Sequence, residues 1–284
     1  MSGLKLVIPN FTSNNASLPI LREDKRLTAG SLLLVDFSHP LMNTSAIPAN
    51  GSIIKNIAYQ EAMTLTATTE ANISPSIVNT ITPTGGLMEF TAKKGLHGII
   101  SQVNDIENGN EFQISVPQAI RTYIFNNISR GFFVSIWDRK TRLALTQTSA
   151  YFYMFLQNTS NYGTIFQTGG GNTSGGKNLG NRMSVSSLNS LSNQINNIGF
   201  SQLTGTPGAT NASKFKFGSA DAYSTAELNK ACSNILYQIH IMDLTSAGLT
   251  YAQADALDLA EYNKAFGVGG RFENDTFTSP STLA

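Results

Sequence analysis

Cysteine is almost absent from this chain, which contains one, Cys232, among 284 residues. A single cysteine excludes an intrachain disulfide and a multi-cysteine metal site, so we interpret it as a small packing residue. No apolar run approaches the ~18 residues that a membrane-spanning helix needs. Residues 1–4 also lack the basic region and apolar stretch of a secretory signal. We therefore expect neither membrane insertion nor signal-directed secretion.

Charge is scarce as well. Asp, Glu, Lys and Arg supply 13% of the residues, against roughly 25% in ordinary soluble proteins. The formal net charge is +1, and binding to nucleic acid requires clustered Lys and Arg that neutralise phosphates. The composition thus predicts no nucleic-acid partner. The densest charged run, Arg22 to Arg26, also contains Glu23 and Asp24 and is expected to form a solvated turn.

Serine, threonine and asparagine are abundant instead, at about 30% of the chain. Between turns rich in Gly, Pro and Asn lie short segments with the composition of strands. About a dozen such strands predict a mainly β protein, a jelly-roll β-sandwich. The predicted strands cover residues 31–37, 52–58, 87–92, 98–103, 111–116, 123–126, 131–139, 151–157, 164–167, 182–186, 198–203, 214–217 and 234–243.

Two of these strands show informative alternation. In the first, one face carries Phe133, Ser135 and Trp137, and the other carries Phe132, Val134 and Ile136. Because both faces are mostly apolar, we expect a central strand. In the second, a period of two places Ile235, Tyr237, Ile239 and Ile241 on one face, and Leu236, Gln238, His240 and Met242 on the other.

A helix is predicted after the last strand. Thr250 and Gln253 have the spacing of a capping box, and Gly267 stands where a C-cap glycine belongs. The helix should therefore cover Tyr251 to Phe266. Its polar face is expected to contain Asp255, Asp258 and Glu261.

The chain divides into three predicted parts: an extended N-terminal arm over residues 1–30, a β-sandwich over 31–245, and a C-terminal helix and tail over 246–284. The arm contains apolar residues that need a surface to pack on. An apolar arm outside a compact domain packs on a neighbour, so we expect a homo-oligomer. The assembly residues of the arm are Leu4, Leu6, Ile8 and Phe11.

Two segments resemble parts of known lectin-like proteins. The sequence GFFVSIWDRKT, residues 131–141, resembles a strand common in laminin G and concanavalin A-like sandwiches. The sequence MDLTSAGLTYAQADALD, residues 242–258, resembles a closing segment that follows such sandwiches in bacteriophage virion proteins. The resemblance implies a non-enzymatic structural component of a virion: a tail, baseplate, fibre or decoration protein. Such a protein would assemble with other virion proteins in the host cytoplasm.

Some lectin-like relatives bind sugars, so the resemblance leaves open a carbohydrate-binding module that recognises a host surface glycan. The aromatic segment between residues 151 and 166 is mostly expected in the core. Beside it lie asparagines of the kind that sugar-binding and protein-contact surfaces use. The candidate ligand or contact surface comprises Asn158, Asn161, Tyr162, Asn172, Lys177 and Asn181.

A glycine-rich stretch, Gly171 to Asn178, fits the pattern G-x-x-x-x-G-K. A phosphate loop requires Ser or Thr after the lysine, where Asn178 stands, and then a helix. Leu179-Gly180-Asn181 does not favour a helix start. We therefore expect a sandwich loop, or a contact or ligand loop, because such loops often carry binding.

The best carboxylate cluster is Asp105, Glu107 and Glu111. Lectin-fold glycosidases place two carboxylates on one face of a strand, but here the turn Asn108-Gly109 interrupts the pattern. A solvated hairpin is favoured. The alternatives are a calcium site formed by Asp105, Glu107 and Asn110, and glycan hydrolysis by Glu107 and Glu111.

The three histidines, His39, His97 and His240, lack the spacing of a metal site, and no G-x-S-x-G serine elbow occurs. His240 is expected to be a packing residue on its strand. The sequence predicts no catalytic residue, metal ligand or cofactor.

Overall fold

The computed structural model describes residues 24–42, 46–104, 110–127, 130–142, 152–157, 162–168, 191–198, 214–219 and 233–283. In the strands between residues 152 and 219 it describes the backbone alone. Eleven strands lie in these ranges: β1 Ser31–Val35, β2 Ser76–Asn79, β3 Gly86–Phe90, β4 Leu96–Ile100, β5 Glu111–Ser115, β6 Phe132–Arg142, β7 Phe152–Gln157, β8 Tyr162–Thr168, β9 Leu191–Ile198, β10 Lys214–Ser219 and β11 Ser233–Asp243. The helices are α1 Tyr59–Thr66, α2 Glu70–Ile73, α3 Gln118–Asn126, α4 Leu244–Ala247 and α5 Tyr251–Phe266.

The strands form two antiparallel sheets. One has the order β3-β4-β11-β6-β9, with β1 also paired to β11, and the other has the order β2-β5-β10-β7-β8. The main apolar cluster contains side chains of both sheets, among them Leu34, Ile77, Ile114 and Ile136. The protein is therefore mainly β, with a C-terminal helix, as the sequence predicted.

Strand β11 is the centre of the six-stranded sheet. It pairs with β6 along its whole length. On its other side it pairs with β4 through residues 234–236 and with β1 through residues 239–242. This central position explains why all eleven residues of β11 are buried.

A β-bulge at Tyr237 changes the predicted alternation of β11. The register with β6 shifts between Leu236 and Gln238, and an extra residue in one strand reverses the faces beyond it. Ile235 and Tyr237 accordingly pack in a cluster with Trp137, whereas Ile239 and Ile241 belong to the main core. The expectation that all four share one face was wrong for this reason.

Strand β6 follows its predicted pattern. Phe132, Val134 and Ile136 lie in the main core. On the opposite face, Phe133 and Trp137 pack in two separate clusters with residues of the C-terminal region. Both faces are covered, so the prediction of a central strand is confirmed.

Two predicted strands are wrong. Residues 123–126 belong to helix α3, whose buried Ile120 and Ile124 have the i, i+4 spacing of a helix face. Residues 52–58 form one isolated bridge, at Ile53. Asn56 in this segment uses its side chain to bond the backbone of β1, so the segment covers that strand instead of extending a sheet.

Helix α5 begins as predicted. Thr250 accepts a hydrogen bond from Gln253 N and the Gln253 side chain returns to the Thr250 backbone, so the capping box is confirmed. Gly267 is the C-cap residue, but its backbone is extended, with φ −74°. A side chain there would approach the carbonyl oxygen of Asn263 to 2.6 Å, which explains the glycine by size and not by handedness.

Candidate functional site

A buried polar centre joins the N-terminal part of the described chain to helix α5 and strand β6. We define the polar centre as Asp24, Arg26, Ser135, Trp137 and Asp258. Ser135 Oγ donates to Asp258 Oδ2 at 2.7 Å, and the indole Nε1 of Trp137 donates to the same oxygen at 3.1 Å. A buried indole N–H needs an acceptor, and Asp258 supplies it.

Asp258 is fully buried, so it does not belong to the polar helix face that was predicted for it together with Asp255 and Glu261. It lies on the side of α5 that faces β6. A carboxylate can lie on this buried side of the helix because the facing strand presents a hydroxyl and an indole N–H instead of purely apolar groups. The negative charge is balanced by Arg26, whose NH1 lies 3.6 Å from Asp258 Oδ1.

Arg26 was expected in a solvated turn, but its side chain is 1% exposed. Its guanidinium forms two bonds to Asp24, from Nε at 2.9 Å and from NH2 at 2.6 Å. The guanidinium carbon lies 4.5 Å from the centre of the Trp137 ring, within the range of a cation–π contact. The expectation was wrong because Trp137 and two carboxylates together form a binding place for a buried cation.

Asp24 and Arg26 both stay charged over a wide range of pH. Burial raises the pKa of Asp24, but the hydrogen bonds and charge of Arg26 outweigh it, and the pKa lies well below its usual range. For Arg26, burial lowers the pKa and Asp24 more than reverses this, so the guanidinium stays protonated.

A cavity of about 330 Å³ shares Asp24 with the polar centre. Its wall also contains Asp36, His39, Glu261 and Arg271. Arg271 NH2 donates to Asp36 Oδ2 at 2.6 Å, and Asp36 Oδ1 accepts from Ser38 N and Oγ. Within the wall Asp36 is thus paired with Arg271, while Asp24 is paired with Arg26 of the polar centre.

Asp24 does not fit the general-acid role of a glycosidase. A glycosidase needs one carboxyl group with a raised pKa to act as general acid. The pKa of Asp24 moves the opposite way. The wall does offer charged acceptors and donors of the kind that bind the hydroxyl groups of a small polar ligand.

A second buried chain of hydrogen bonds runs through Glu89, His97 and Thr141. His97 Nδ1 lies 2.9 Å from Glu89 Oε1, and His97 Nε2 lies 2.8 Å from Thr141 Oγ1. The order of groups matches an acid–histidine–hydroxyl relay. However, His97 is fully buried, and the ring of Phe277 covers it at 5.2 Å.

The same carboxylate holds the C-terminal tail. Glu89 accepts from Thr278 N at 2.9 Å and from Thr278 Oγ1 at 2.6 Å. Burial raises the pKa of Glu89, but these bonds and those of His97 lower it below its usual value. Burial lowers the pKa of His97, with Glu89 opposing. This cluster therefore fastens the tail to strands β3, β4 and β6.

A third cluster surrounds Asp243 at the end of β11. Asp243 accepts from Tyr123 Oη at 2.7 Å, from Arg130 NH1 at 2.8 Å and from Ser246 Oγ at 2.8 Å. Its other oxygen caps helix α4 through Thr245 N and Ser246 N. The cluster links α3, α4 and β11 and leaves this carboxylate fully occupied.

Most of the predicted contact surface lies outside the described residues: Asn158, Asn161, Asn172, Lys177 and Asn181, together with the arm residues Leu4, Leu6, Ile8 and Phe11. The backbone of Tyr162 begins β8. Of the carboxylate cluster, Asp105 and Glu107 lie outside the described residues. Glu111 is buried in β5, and its amide donates to Thr80 Oγ1 at 2.9 Å.

The histidines occupy three different environments. His240 is fully buried, with Nε2 3.3 Å from Ser31 Oγ and its ring edge-on to Phe133. Its prediction as a packing residue is confirmed. His97 belongs to the Glu89 cluster, and His39 lines the cavity.

The polar centre was not predicted from the sequence, although the sequence contains one signal for it. Trp137 was placed on the same face as Ser135, and both side chains donate hydrogen bonds. A buried face with two donors requires a nearby acceptor. Asp258 in the following helix was available for that role.

Within the described ranges, no group of three or more His, Cys, Asp and Glu side chains is placed to hold a metal ion. Among the helices of those ranges, none has the length and apolar character needed to cross a membrane.

Comparison with known proteins gives no family. No protein-family model and no curated protein sequence matches the chain. Among solved structures, it is similar to Trypanosoma rangeli sialidase in complex with a difluoro derivative of KDN, at 13% identity and a TM-score of 0.36. The same sialidase in complex with sialic acid gives 12% identity and a TM-score of 0.33. Both matches cover 83% of this chain and 33% of the sialidase chain.

Proposed function

We propose that the protein is a non-enzymatic structural component of a bacteriophage virion, built on a lectin-like, jelly-roll β-sandwich. It acts by assembly with copies of itself and with other virion proteins, as part of a tail, baseplate, fibre or decoration layer. The family part of this proposal comes from the resemblance of residues 242–258. The non-enzymatic part of the proposal is supported by the described polar groups, which bond to other groups of the fold.

One observation supports the proposal most directly. The polar residues of the resembling segment serve the fold: Asp243 caps α4, Thr250 caps α5, and Asp258 binds Trp137. Gly248 takes the left-handed conformation between the two helices, with φ +66°. A segment whose recognisable residues fix secondary structure is suited to a scaffold.

The other buried clusters support the same proposal. Glu89, His97 and Thr141 hold the tail, and Asp243 holds α3 and α4. These carboxylates receive several donors from the protein itself. Stable attachment of every peripheral element is what a repeated building block needs.

The test is the mass of the protein in solution, measured by light scattering over a range of concentrations. The full chain is expected to form a defined oligomer. Replacing the four apolar arm residues Leu4, Leu6, Ile8 and Phe11 by serine should reduce the mass to that of a smaller unit with an unchanged circular dichroism spectrum. The matched control replaces Thr12 and Ser13 by alanine and should keep the full mass.

A truncation that tests the same point should remove residues 1–23 at most, so that Asp24 and Arg26 are kept. Arg26 is buried against Trp137, so a cut at residue 30 would damage the polar centre as well as remove the arm. A full chain that remains a monomer at every concentration, with an arm that protease removes without effect, would overturn the proposal.

A second candidate function is a carbohydrate-binding module for a host surface glycan. The cavity beside Asp24 favours it, because its paired charged groups suit the hydroxyl groups of a sugar. A glycan array probed with the oligomer tests this candidate. Binding that is lost in the Arg271→Ala variant supports it, and an array without binding excludes it.

A further inference from the structure

Strand β11 contains two polar side chains inside its buried length. Gln238 and His240 are both fully buried. The register with β6 does not shift between them, so the two side chains stand on the same face of the sheet. His240 contacts Phe133, which packs with residues of α4 and α5. Gln238 and His240 therefore face the C-terminal helices, and Gln238 stands directly beside Trp137, its partner in β6.

The side-chain amide of Gln238 receives no hydrogen bond from the protein. Neither its oxygen nor its nitrogen has a partner in the part of the chain that the structure describes. Exchanging the two atoms changes nothing, because both are without a partner. A buried amide without hydrogen bonds is strongly unfavourable. Proteins satisfy most buried polar groups, either with other protein groups or with an ordered water molecule.

His240 supplies an unused acceptor on the same face. Its Nε2 lies 3.3 Å from Ser31 Oγ. The Ser31 hydroxyl donates to Arg26 O at 3.2 Å, so it accepts from His240, and Nε2 carries the ring proton. Burial lowers the pKa of His240 to about 3, so the ring is neutral and Nδ1 is an acceptor. Among the described residues, no group donates to this Nδ1.

Arg26 adds an unused donor next to these two side chains. Its guanidinium lies over the ring of Trp137, the neighbour of Gln238 in the sheet. Its NH1 is 3.6 Å from Asp258 Oδ1, which is beyond hydrogen-bond distance. The unused donors are thus Arg26 NH1 and the Gln238 amide nitrogen, and the unused acceptors are the Gln238 amide oxygen and His240 Nδ1. A bound cation could not use the donors, and a bound anion could not use the acceptors. Water uses both kinds of group.

The spacing along β11 also suits one bridging molecule. Alternate residues of a strand are about 6.6 Å apart, and a water bonded to two groups spans about 5.6 Å between them. On the side away from β6, the pairing with β4 ends at Leu236 and the pairing with β1 reaches only to Ile239. Gln238 lies at the gap between these two strands, where side chains of a neighbouring strand crowd the face least.

We infer that Gln238, His240 and Arg26 form an internal site for a water molecule, which bridges the Gln238 amide and His240 Nδ1. The water donates to His240 Nδ1 and accepts from the Gln238 amide nitrogen, and its second lone pair can accept from Arg26 NH1. Such a bridge extends the polar centre from Trp137 to strand β11. The inference goes beyond the proposed function and does not depend on assembly.

The experiment counts long-lived internal water molecules of the full chain by magnetic relaxation dispersion of oxygen-17 water. Gln238→Met, which has a similar length but no hydrogen-bonding amide, should lower the count relative to the wild type. Gln60→Met is the matched control, because it makes the same replacement at an exposed position of α1, and should leave the count unchanged. An equal count in the wild type and in Gln238→Met overturns the inference.

The stability of Gln238→Met supplies a second measurement, because its sign depends on the water. If the water is bound, the variant leaves His240 Nδ1 without its partner, and the folding equilibrium constant should fall about tenfold. If the amide binds no water, removing an unsatisfied polar group should raise that constant instead, which overturns the inference. Should the variant fail to fold, the wild type decides: a nuclear Overhauser effect between water and the Gln238 side-chain amide protons supports the site, and its absence overturns it.

Discussion

The indole N–H of Trp137 and the carboxylate of Asp258 lie 3.1 Å apart, and this bond fixes helix α5 on the outer face of the six-stranded sheet. Around it, Tyr262 and Phe266 contact the Trp137 ring edge-on. A polar bond in an apolar contact gives the helix one position along the strand, because a shifted helix would leave a buried donor without an acceptor.

The first prediction concerns this bond. Asp258→Asn keeps an oxygen for Trp137 but removes the charge that balances Arg26. Breaking a buried ion pair from one side costs about 3 kcal/mol, so the free energy of unfolding in urea should fall by about that amount. Asp255→Asn on the same helix is the matched control and should change the free energy of unfolding by about 0.5 kcal/mol or less. A loss equal to the control would show that Arg26 does not depend on Asp258.

The second prediction concerns pH. Burial and the nearby charge of Arg26 lower the pKa of His240 to about 3, with Asp24 opposing. The imidazole is therefore neutral in the folded protein, while in the unfolded chain it gains a proton near pH 6.5. The contribution of the neutral His240 to the free energy of unfolding is therefore complete above pH 6.5 and is lost as the pH falls from there towards 3.

One such histidine removes up to about 1.4 kcal/mol of stability for each pH unit in this window. His240→Gln should reduce the difference in unfolding free energy between pH 6.5 and pH 5, even if it lowers stability at both. His97 also has a lowered pKa, so some dependence will remain. An unchanged slope in the variant would contradict a buried neutral His240.

The third prediction concerns the start of helix α5. Thr250→Ala removes the side chain that accepts from Gln253 N and should lower the unfolding free energy by about 1 kcal/mol. Thermal unfolding measures it. Thr245→Ala, in the exposed part of α4, removes the same atoms without a cap and should have little effect. Equal losses in both variants would deny the capping role.

The fourth prediction concerns Gly30, just before β1. A Cβ atom there would lie 2.1 Å from the carbonyl oxygen of Asp243 and 2.7 Å from Ala247 N. Because both are backbone atoms, Gly30→Ala should cost more than about 2 kcal/mol. Gly51→Ala serves as the comparison, since its site is open but has φ +79°, and should cost only about 1 kcal/mol. Equal costs at the two sites would contradict the close contact.

Local patterns predicted part of the regular structure, whereas strands β2 and β9 and helices α1 and α2 were not predicted. The alternation of β6 and the capping box of α5 depend on neighbours in sequence, and both are confirmed. The alternation in β11 correctly predicted a strand, but it assigned the side chains beyond Tyr237 to the wrong faces. The reason is that a bulge leaves no signature in the sequence of a fully buried strand. Helix α3 was missed, since its β-branched and aromatic residues also suit a strand.

The polar centre depends on distant residues, which local patterns do not relate. Arg26 and Asp258 are both charged, and single-residue rules place both in solvent. Only the approach of helix α5 to β6 shows that each neutralises the other beside Trp137. The arm and the candidate contact surface remain predictions.

The place of β11 in the chain has a consequence for synthesis. This strand lies between β6 on one side and β1 and β4 on the other, and Ser31 meets His240 across 209 positions. While the ribosome is still making the preceding residues, strands β1, β4 and β6 lack their common neighbour. The six-stranded sheet therefore closes only after β11 has emerged, and chains stopped earlier present unpaired apolar strands to chaperones and proteases.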